Sequence, residues 1–422
     1  MRETAICCSR TSNAHPDNAR TVFYLARSYF DLGDYVNARK WFARRADMGG
    51  WAEEVYFSMF KVADSMWLLR EPWPHVQDAY LRAWEFRPTR AEALHAIAVK
   101  YRLDRRYQLG YLFAQHAAAI PVPAGDELFV FLDVYAWRAV DEQAVCASWI
   151  GRHREAVELS RRLLARCDVP DDDRKRVARN RDRSVPTLID EASSYPDVLA
   201  QRLVAGPRDA EVTVSLVAGA DRGATEQMLN SFLHCCIDVQ RVGRFLTVDA
   251  GLSSEDRAVL LERYGFLEFG RSVPGEGLGV QLAQIRCEIE GRFWLHLGEG
   301  WRFFAPEHFI TRLTAVLETE PEVFQVGINV CDAVELTGVG AAEDVVRRAA
   351  GAGRYVLVDV VASGPAMFDT ARLDRAGGIT GTDGDPIAEL GRRAAVAGLR
   401  TAGLDEVLCI AGASSPRNVA EV

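Results

Sequence analysis

The 422-residue sequence lacks the features of secreted, membrane-spanning and nucleic-acid-binding proteins. No run approaches the roughly 18 uninterrupted apolar residues of a membrane helix. Residues 1–18 lack the basic-then-apolar order of a secretion signal. Positive charge is also scarce, because 50 Lys and Arg stand against 59 Asp and Glu, a net charge of -9. Nucleic acid binding requires a basic face. We therefore expect a cytoplasmic protein with no membrane span and no nucleic acid partner.

Cysteine is present but not in a pattern that holds a fold together. The nine cysteines are odd in number and scattered, and no CxxC spacing occurs. This usage predicts reduced thiols rather than disulfides or zinc ligands. With 49% hydrophobic and 26% charged residues, the composition is that of an ordinary globular protein. At about 150 residues per domain, the length indicates two or three domains.

The composition changes between residues 170 and 210. Seven of the nine tryptophans precede this region, a run of charged residues opens it, and Ser-Ser-Tyr-Pro and Gly-Pro-Arg-Asp turn signals follow. We therefore predict an all-helical domain at 15–185, a linker at 186–209, an α/β domain at 210–412 and a flexible tail at 413–422. Two arginine-rich segments, 161–166 and 171–176, are interpreted as solvated helix faces.

A helix–turn–helix pattern begins the helical half. Residues 25–42 read as two helices around a Gly33-Asp34 turn, with small residues at Ala26 and Ala38 where the helices approach. The pattern resembles the tetratricopeptide repeat, whose period is about 34 residues. Equivalent positions recur at Ala38, Val76, Gly110 and Ala156. The last step is long, and we attribute it to an added helix over 126–137. The alternative is a helical bundle without repeats.

The resemblance to tetratricopeptide repeats implies stacked helix pairs with a binding groove. A protein or glycan partner is expected in that groove. The aromatic residues of this half are interpreted mainly as packing between helices.

The second half alternates between short β-branched runs and helical segments. Strands are predicted near 212–218, 245–249, 267–269, 293–297, 323–330 and 355–361, with helices between them and a final helix at 386–397. This alternation predicts a mostly parallel sheet with helices on both faces, a Rossmann-like α/β fold. Ligands of such sheets bind at the carboxyl ends of the strands.

Two predicted strands end in acidic turns. Asp249 closes one, and Glu299 lies between Gly298 and Gly300 after the other. A carboxylate at this edge of the sheet can hold a ribose, a base edge or a metal ion. His296 lies mid-strand between apolar neighbours and is interpreted as a hydrogen-bonded core histidine.

Three segments carry a second resemblance. They are Asn-Ser-Phe-Leu-His-Cys-Cys at 230–236, Val-Asp-Ala-Gly-Leu-Ser-Ser at 248–254 and Trp-Leu-His-Leu-Gly-Glu-Gly-Trp-Arg-Phe-Phe at 294–304. In their residues and in their order along the chain, these segments resemble nucleotide-sugar glycosyltransferases of the GT-A type, family 2-like. The resemblance covers most of residues 209–412. The resemblance implies transfer of a sugar from a nucleotide-sugar donor to a hydroxyl acceptor. It also implies Mn²⁺ or Mg²⁺ held by an acidic triplet that clamps the diphosphate.

The sequence departs from that family at the metal motif. Of the acidic triplet only Glu299 remains, and Ala250 stands where relatives carry another acid. One carboxylate does not offset a divalent cation as two or three do. We therefore favour a degenerate catalytic domain over an active transferase. The alternative from another class is an inactive adaptor acting through the repeat groove, and a third possibility is a subunit working beside a separate active transferase.

The resemblance assigns roles to five acidic residues. Asp249 and Asp221 would contact the nucleotide, and Glu299 would be the remnant metal ligand. Asp383 or Asp385 would be the general base that deprotonates the acceptor hydroxyl. Local alternatives stay open, because Asp385 before a proline is typical of an N-cap. Asp221 and Glu299 can equally be turn residues.

Overall fold

The computed structural model describes residues 18–205, 211–271, 274–330, 333, 336–380 and 385–412. The chain divides into two compact units, an N-terminal unit ending at Leu159 and a C-terminal unit beginning at Ser160. The expected linker at 186–209 contains the helices Val185–Ala192 and Asp197–Ala205. The structural division therefore falls earlier than the composition indicated. Within the described ranges, no helix combines the length and the apolar character that a membrane crossing requires.

The N-terminal unit is a series of helical hairpins in which each helix packs on the next within a pair. Its helices are α1 (Ala19–Asp31), α2 (Tyr35–Asp47), α3 (Ala52–Leu68), α4 (Trp73–Phe86), α5 (Glu92–Leu103), α6 (Tyr107–Ala119), α7 (Ala139–Trp149) and the start of α8 (His153–Leu164). The predicted helical repeats are confirmed.

Local signals explain the first hairpin. The side chain of Asn18 accepts a hydrogen bond from the amide of Thr21 and caps α1, and Asp34 caps α2 in the same way. Gly33 adopts a φ of +78° in the turn between them, a conformation that favours glycine. Ala38 is fully buried where the helices meet.

The predicted repeat register is also found in the structure. The equivalent positions lie on the second helices α2, α4, α6 and α8 and are buried; they are Ala38, Val76, Gly110 and Ala156. The added helix expected over 126–137 is wrong in its extent, because the helix begins only at residue 132 and runs through a π-helical turn, Val134–Arg138, into α7. Residues 120–131 form a loop, and Pro121 and Pro123 oppose a helix there.

The C-terminal unit alternates helices with strands. Its helices are α9 (Asp171–Asp182), α10 (Val185–Ala192), α11 (Asp197–Ala205), α12 (Arg222–Cys235), α13 (Ser254–Arg263), α14 (Leu278–Cys287), α15 (Phe309–Thr319), α16 (Thr370–Arg375) and α17 (Pro386–Val396). Its strands are β1 (Val212–Ala218), β2 (Val242–Asp249), β3 (Leu267–Phe269), β4 (Phe293–His296), β5 (Trp301–Phe303), β6 (Val323–Gly327), β7 (Arg347–Ala349), β8 (Gly353–Val358), β9 (Ala366–Asp369), β10 (Arg400–Leu404) and β11 (Cys409–Ala411).

The main sheet has nine strands in the order β3-β2-β1-β4-β9-β6-β10-β8-β7, and β5 pairs with β11 in a separate ribbon. β3, β2, β1 and β4 are mutually parallel, as are β6 and β10. β9 runs antiparallel to both of its neighbours, and β8 and β7 are antiparallel as well. The sheet is therefore mixed, with the expected parallel order in the half that starts the domain. Trp294 and Phe368 pack in its core.

The interpretation of the two arginine-rich segments as solvated faces holds only in part: Arg162 and Lys175 are exposed, whereas Arg174 is 9% exposed and donates to the carbonyl of Val339 (2.9 Å). Arg161, near the end of α8, donates to Glu307 and to Glu406, both over 2.7 Å. Arg181 in α9 is 2% exposed and donates to the carbonyl of Gly338. A guanidinium carries five donors, so it can be buried when carboxylates and carbonyls surround it. Arg161 and Arg181 both belong to the C-terminal unit, where they hold the end of α8 and α9 against its α/β part.

Candidate functional site

The carboxyl ends of three parallel strands meet at one edge of the sheet. Ala218 at the end of β1 pairs with Asp249 at the end of β2, and β4 lies on the other side of β1. β2 and β4 thus lie on opposite sides of β1. A crevice opens at this position, where the order of the strands reverses. We call residues 218–221, 249–252 and 297–301 the β1–β4 crevice. The structure therefore brings the two predicted acidic turns to the same edge.

Asp249 is held by the turn that it closes. Its side chain is mostly buried, and one oxygen accepts hydrogen bonds from the amides of Gly251 (3.0 Å) and Leu252 (2.9 Å). The other oxygen lies 3.4 Å from Nη1 of Arg257. Two backbone donors and a guanidinium thus use much of the carboxylate's accepting capacity. Asp249 shapes the crevice, and its charge is partly neutralised.

Glu299 reaches the end of β1. A Cβ atom built on Gly219 would lie 2.6 Å from Oε1 of Glu299, so the carboxylate rests directly against the β1 backbone. Glycine at 219 is therefore required for this approach. The predicted proximity of Glu299 to the strand end is found in the structure.

The indole of Trp301 packs against two glycines, one on each side of the ring. A Cβ atom on Gly298 would lie 2.9 Å from Cδ1 of Trp301, and one on Gly364 would lie 2.5 Å from Cζ2. Trp301 is 6% exposed, so the ring is held between these two glycines. Gly298 and Gly300 have φ values of +67° and +75°, which favour glycine. The glycines that replace the family's acids are thus fixed by backbone conformation, and Gly298 by packing as well.

The crevice does not fit a divalent metal. Mn²⁺ and Mg²⁺ bind through several oxygen ligands. Among the residues that the structure describes, no group of three or more His, Cys, Asp or Glu side chains could hold a metal ion. Glu299 is the one carboxylate of its turn, and both oxygens of Asp249 already have partners.

Two other predicted site residues are helix caps. Asp221 accepts a hydrogen bond from the amide of Ala224 (3.0 Å) at the start of α12. Asp385 accepts from the amides of Ile387 (2.9 Å) and Ala388 (3.2 Å) at the start of α17. Asp385 has the N-cap geometry considered from the sequence, and Asp221, for which the alternative was a turn residue, is an N-cap as well. Asp383 lies outside the described residues.

His296 is a core histidine, as predicted. It is 5% exposed, and its Nδ1 lies 2.9 Å from the hydroxyl of Ser215, which also accepts a hydrogen bond from the indole of Trp294 (2.7 Å). Burial lowers the pKa of His296 to about 4, because the charged form would lose its hydration. The imidazole is therefore neutral at physiological pH.

Sequence reasoning missed Arg257. This residue lies on α13, and its guanidinium is 4.6 Å from the ring centroid of Phe269 in addition to its contact with Asp249. The available signal was its place one turn after the Ser253 cap, where a side chain returns toward β2. The sequence identified Trp301 only as part of a motif. Its contact with Gly364 could not be recognised, because the two residues are far apart in the chain.

No family model and no curated protein matches the sequence. Solved structures of two kinds are similar to parts of the chain. The mannosyltransferase PcManGT from Pyrobaculum calidifontis, solved with GDP-Man and Mn²⁺, is 16% identical over 58% of this chain and 70% of its own, with a TM-score of 0.38. GalNAc-T7, solved with UDP, GalNAc and Mn²⁺, is 12% identical over 53% and 50%, with a TM-score of 0.37.

The second kind contains TPR-like repeats. A putative kinesin light chain from Podosopora anserina with nearly identical TPR-like repeats is 17% identical over 41% of this chain and 87% of its own, with a TM-score of 0.31. These are the two kinds of protein that the sequence resembles. At such identities and TM-scores the likenesses carry no argument about ligands or activity. The site is therefore interpreted from its own residues.

Proposed function

We propose that the C-terminal unit is a glycosyltransferase-like domain that no longer supports metal-dependent sugar transfer, and that the helical repeats supply the protein's binding function. The observation that carries this is the position of Trp301 between Gly298 and Gly364, in a turn whose one carboxylate is that of Glu299. The resemblance of the strand-end motifs to nucleotide-sugar transferases supports descent from an enzyme.

Sugar transfer requires that the crevice stabilise the negative charge of the leaving diphosphate. Breaking the bond between a sugar and a nucleoside diphosphate leaves negative charge on the diphosphate, and a divalent cation or fixed positive groups stabilise it. In the crevice, the carboxylate of Asp249 is paired with the guanidinium of Arg257, and Glu299 supplies a second carboxylate. A diphosphate placed there would lie beside two carboxylates, which oppose its negative charge.

The N-terminus of α12 does not provide a phosphate-binding site. A helix N-terminus can bind phosphate through its free amides and its dipole. Here the carboxylate of Asp221 already accepts from the amide of Ala224, so a negative charge stands at the N-terminus where a phosphate would bind. The crevice is therefore poorly suited to a metal-bound diphosphate.

Thermal unfolding of the full chain tests the proposal. We would measure the melting temperature with UDP, GDP and other nucleoside diphosphates, each with and without Mn²⁺. A ligand at 100 times its Kd stabilises the folded state by about 2.7 kcal/mol, which such a scan detects. We expect Mn²⁺ to add no stabilisation with any nucleotide.

Glu299→Ala and Glu262→Ala are the matched variants, because Glu262 is an exposed residue of α13 remote from the strand ends. A rise in melting temperature that requires Mn²⁺, that Glu299→Ala abolishes and that Glu262→Ala retains would show a working metal site. In that case the crevice would bind a metal-bound nucleotide, and the proposal would be wrong.

A further inference from the structure

A loop of the N-terminal unit lies across its first helices. Residues 126–131, with the sequence Asp-Glu-Leu-Phe-Val-Phe, follow Pro121 and Pro123 and contain no helix or strand. They contact α1, α3 and α5, the first helices of the first three hairpins. We call residues 126–131 the cis segment and the surface formed by α1, α3 and α5 the first-helix face.

Two carboxylates of this face bind backbone amides of the cis segment. One oxygen of Glu53 accepts from the amides of Glu127 (2.8 Å) and Leu128 (2.7 Å). Glu92 accepts from the amide of Phe131 (3.2 Å). Glu53 is 7% exposed, and backbone donors satisfy its buried charge. Glu92 is 2% exposed, and its charge is also paired with Arg90 (2.8 Å) and hydrogen-bonded by the hydroxyl of Tyr135 (2.9 Å).

Arginines bind the other groups of the cis segment. Arg90, 1% exposed, donates to the carbonyls of Leu128 (3.4 Å) and Phe129 (2.9 Å). Arg87 pairs with the carboxylate of Asp126, and Nη1 of Arg90 lies 3.4 Å from it. The hydrogen bond from Arg87 lowers the pKa of Asp126, so this carboxylate is ionised. The cis segment is thus bound through an acid at its first position and through carbonyls further along.

Aromatic side chains provide the apolar contacts. The ring of Phe129 lies 4.5 Å from that of Phe57, and the guanidinium of Arg27 lies 4.5 Å from the Phe129 centroid. Phe131 packs edge-on against Phe60 at 6.0 Å. Both phenylalanines of the cis segment remain half-buried, so they rest on the face rather than inside the core. Phe129 has a φ of +49°, an uncommon conformation for a bulky residue.

This arrangement is that of a bound peptide. Carboxylates that accept from amides and a guanidinium that donates to carbonyls recognise groups that every extended chain offers, while pockets for particular side chains add specificity. Nothing in these contacts requires the bound segment to be joined to the face. We propose that the first-helix face is a binding site for a partner protein's extended segment of the pattern Asp-x-x-Phe-x-Phe, and that the cis segment occupies it until such a partner displaces it.

The covalent connection of the cis segment to the chain determines how tightly a partner segment can bind the first-helix face. A segment joined by a short linker competes at an effective concentration in the millimolar range. A partner segment therefore binds the native protein weakly, and weakening the cis segment raises the partner's affinity. The site rests on the binding role proposed for the repeats, and it involves no residue of the crevice, so the nucleotide scans and a peptide titration succeed or fail separately.

A labelled peptide with the sequence of residues 124–133 tests this in the full chain by fluorescence anisotropy. Phe129→Ala removes the main apolar contact of the cis segment while leaving the face intact, so we expect it to bind the peptide about tenfold more tightly than the native protein. Phe86→Ala, at an exposed position at the end of α4, is the control and should match the native protein. Adding Arg27→Ala to Phe129→Ala should weaken binding again, because Arg27 belongs to the face.

The same titration can overturn the proposal. Equal affinity, or no binding, for the native protein and a Phe129→Ala variant that keeps its helical circular dichroism would show that the cis segment is not an exchangeable ligand. If Phe129→Ala loses its helical signal, Asp126→Asn replaces it, because it weakens the pairing with Arg87 without removing apolar area. Unfolding of both variants would make the segment an integral part of the fold, which also refutes the proposal.

Discussion

Restoring a side chain at position 298 should destabilise the C-terminal unit because Trp301 occupies the space. Gly298→Ala places a Cβ 2.9 Å from Cδ1 of Trp301 at a φ of +67°. The left-handed conformation costs about 1–2 kcal/mol for a residue with a Cβ. Forcing the buried indole to move adds about 1–3 kcal/mol. We therefore expect a loss of about 2–5 kcal/mol in the free energy of unfolding, measured by urea denaturation with far-UV circular dichroism.

Gly398→Ala is the matched control. Gly398 has a φ of +69°, and a Cβ there would meet nothing within 4 Å, so this variant reports the conformational cost alone. In a Trp301→Ala background, the cost of Gly298→Ala should fall to that same value, a coupling of about 1–3 kcal/mol. If Gly298→Ala costs no more than Gly398→Ala, the indole does not block the position and the explanation of the lost acidic motif fails.

Two further predictions concern the C-terminal unit. The pKa of His296 is about 4 in the folded state and 6.5 when exposed, so the unfolded chain takes up a proton first as the pH falls. The contribution of His296 to the free energy of unfolding is therefore full above pH 6.5 and should decrease by about 2 kcal/mol between pH 8 and pH 5. In urea titrations at several pH values, His296→Gln should remove this part of the pH dependence. An unchanged pH dependence in the variant would refute the prediction. Arg161→Ala leaves Glu307 and Glu406 sharing Arg312 in a buried network, so we expect a loss of about 2–3 kcal/mol, against almost none for the exposed neighbour Arg162→Ala. Equal losses in the two variants would mean that the network contributes nothing.

Sequence patterns predicted the elements well wherever the signal was local. The Gly33-Asp34 turn with Ala38 indicated the first hairpin, and the strands ending at Asp249 and before Glu299 indicated the crevice. Each of these signals lies within a few residues of the structure that it specifies. Strand direction is different, because a short strand that is buried on both faces, such as β9, has the same hydrophobic run whichever way it pairs. The antiparallel placement of β9 therefore could not be predicted.

The contacts that decide the function are between distant parts of the chain. Trp301 meets Gly364, and Glu53 binds the amides of residues 127 and 128. The buried role of Arg181 was hidden for a related reason, since an arginine-rich helix has the same composition whether water or carbonyl groups surround it. Sequence periodicity reports which residues face inward, but it does not report which partner they meet.

Direct titration of Mn²⁺ tests the central claim most sharply. The free ion would be followed by electron paramagnetic resonance as Mn²⁺ is added to the full chain, with UDP or GDP present and in matched samples without protein. The account predicts the same free Mn²⁺ signal in both samples, because the crevice offers Glu299 and a partly neutralised Asp249. Uptake of one Mn²⁺ per chain that is lost in Glu299→Ala would contradict it.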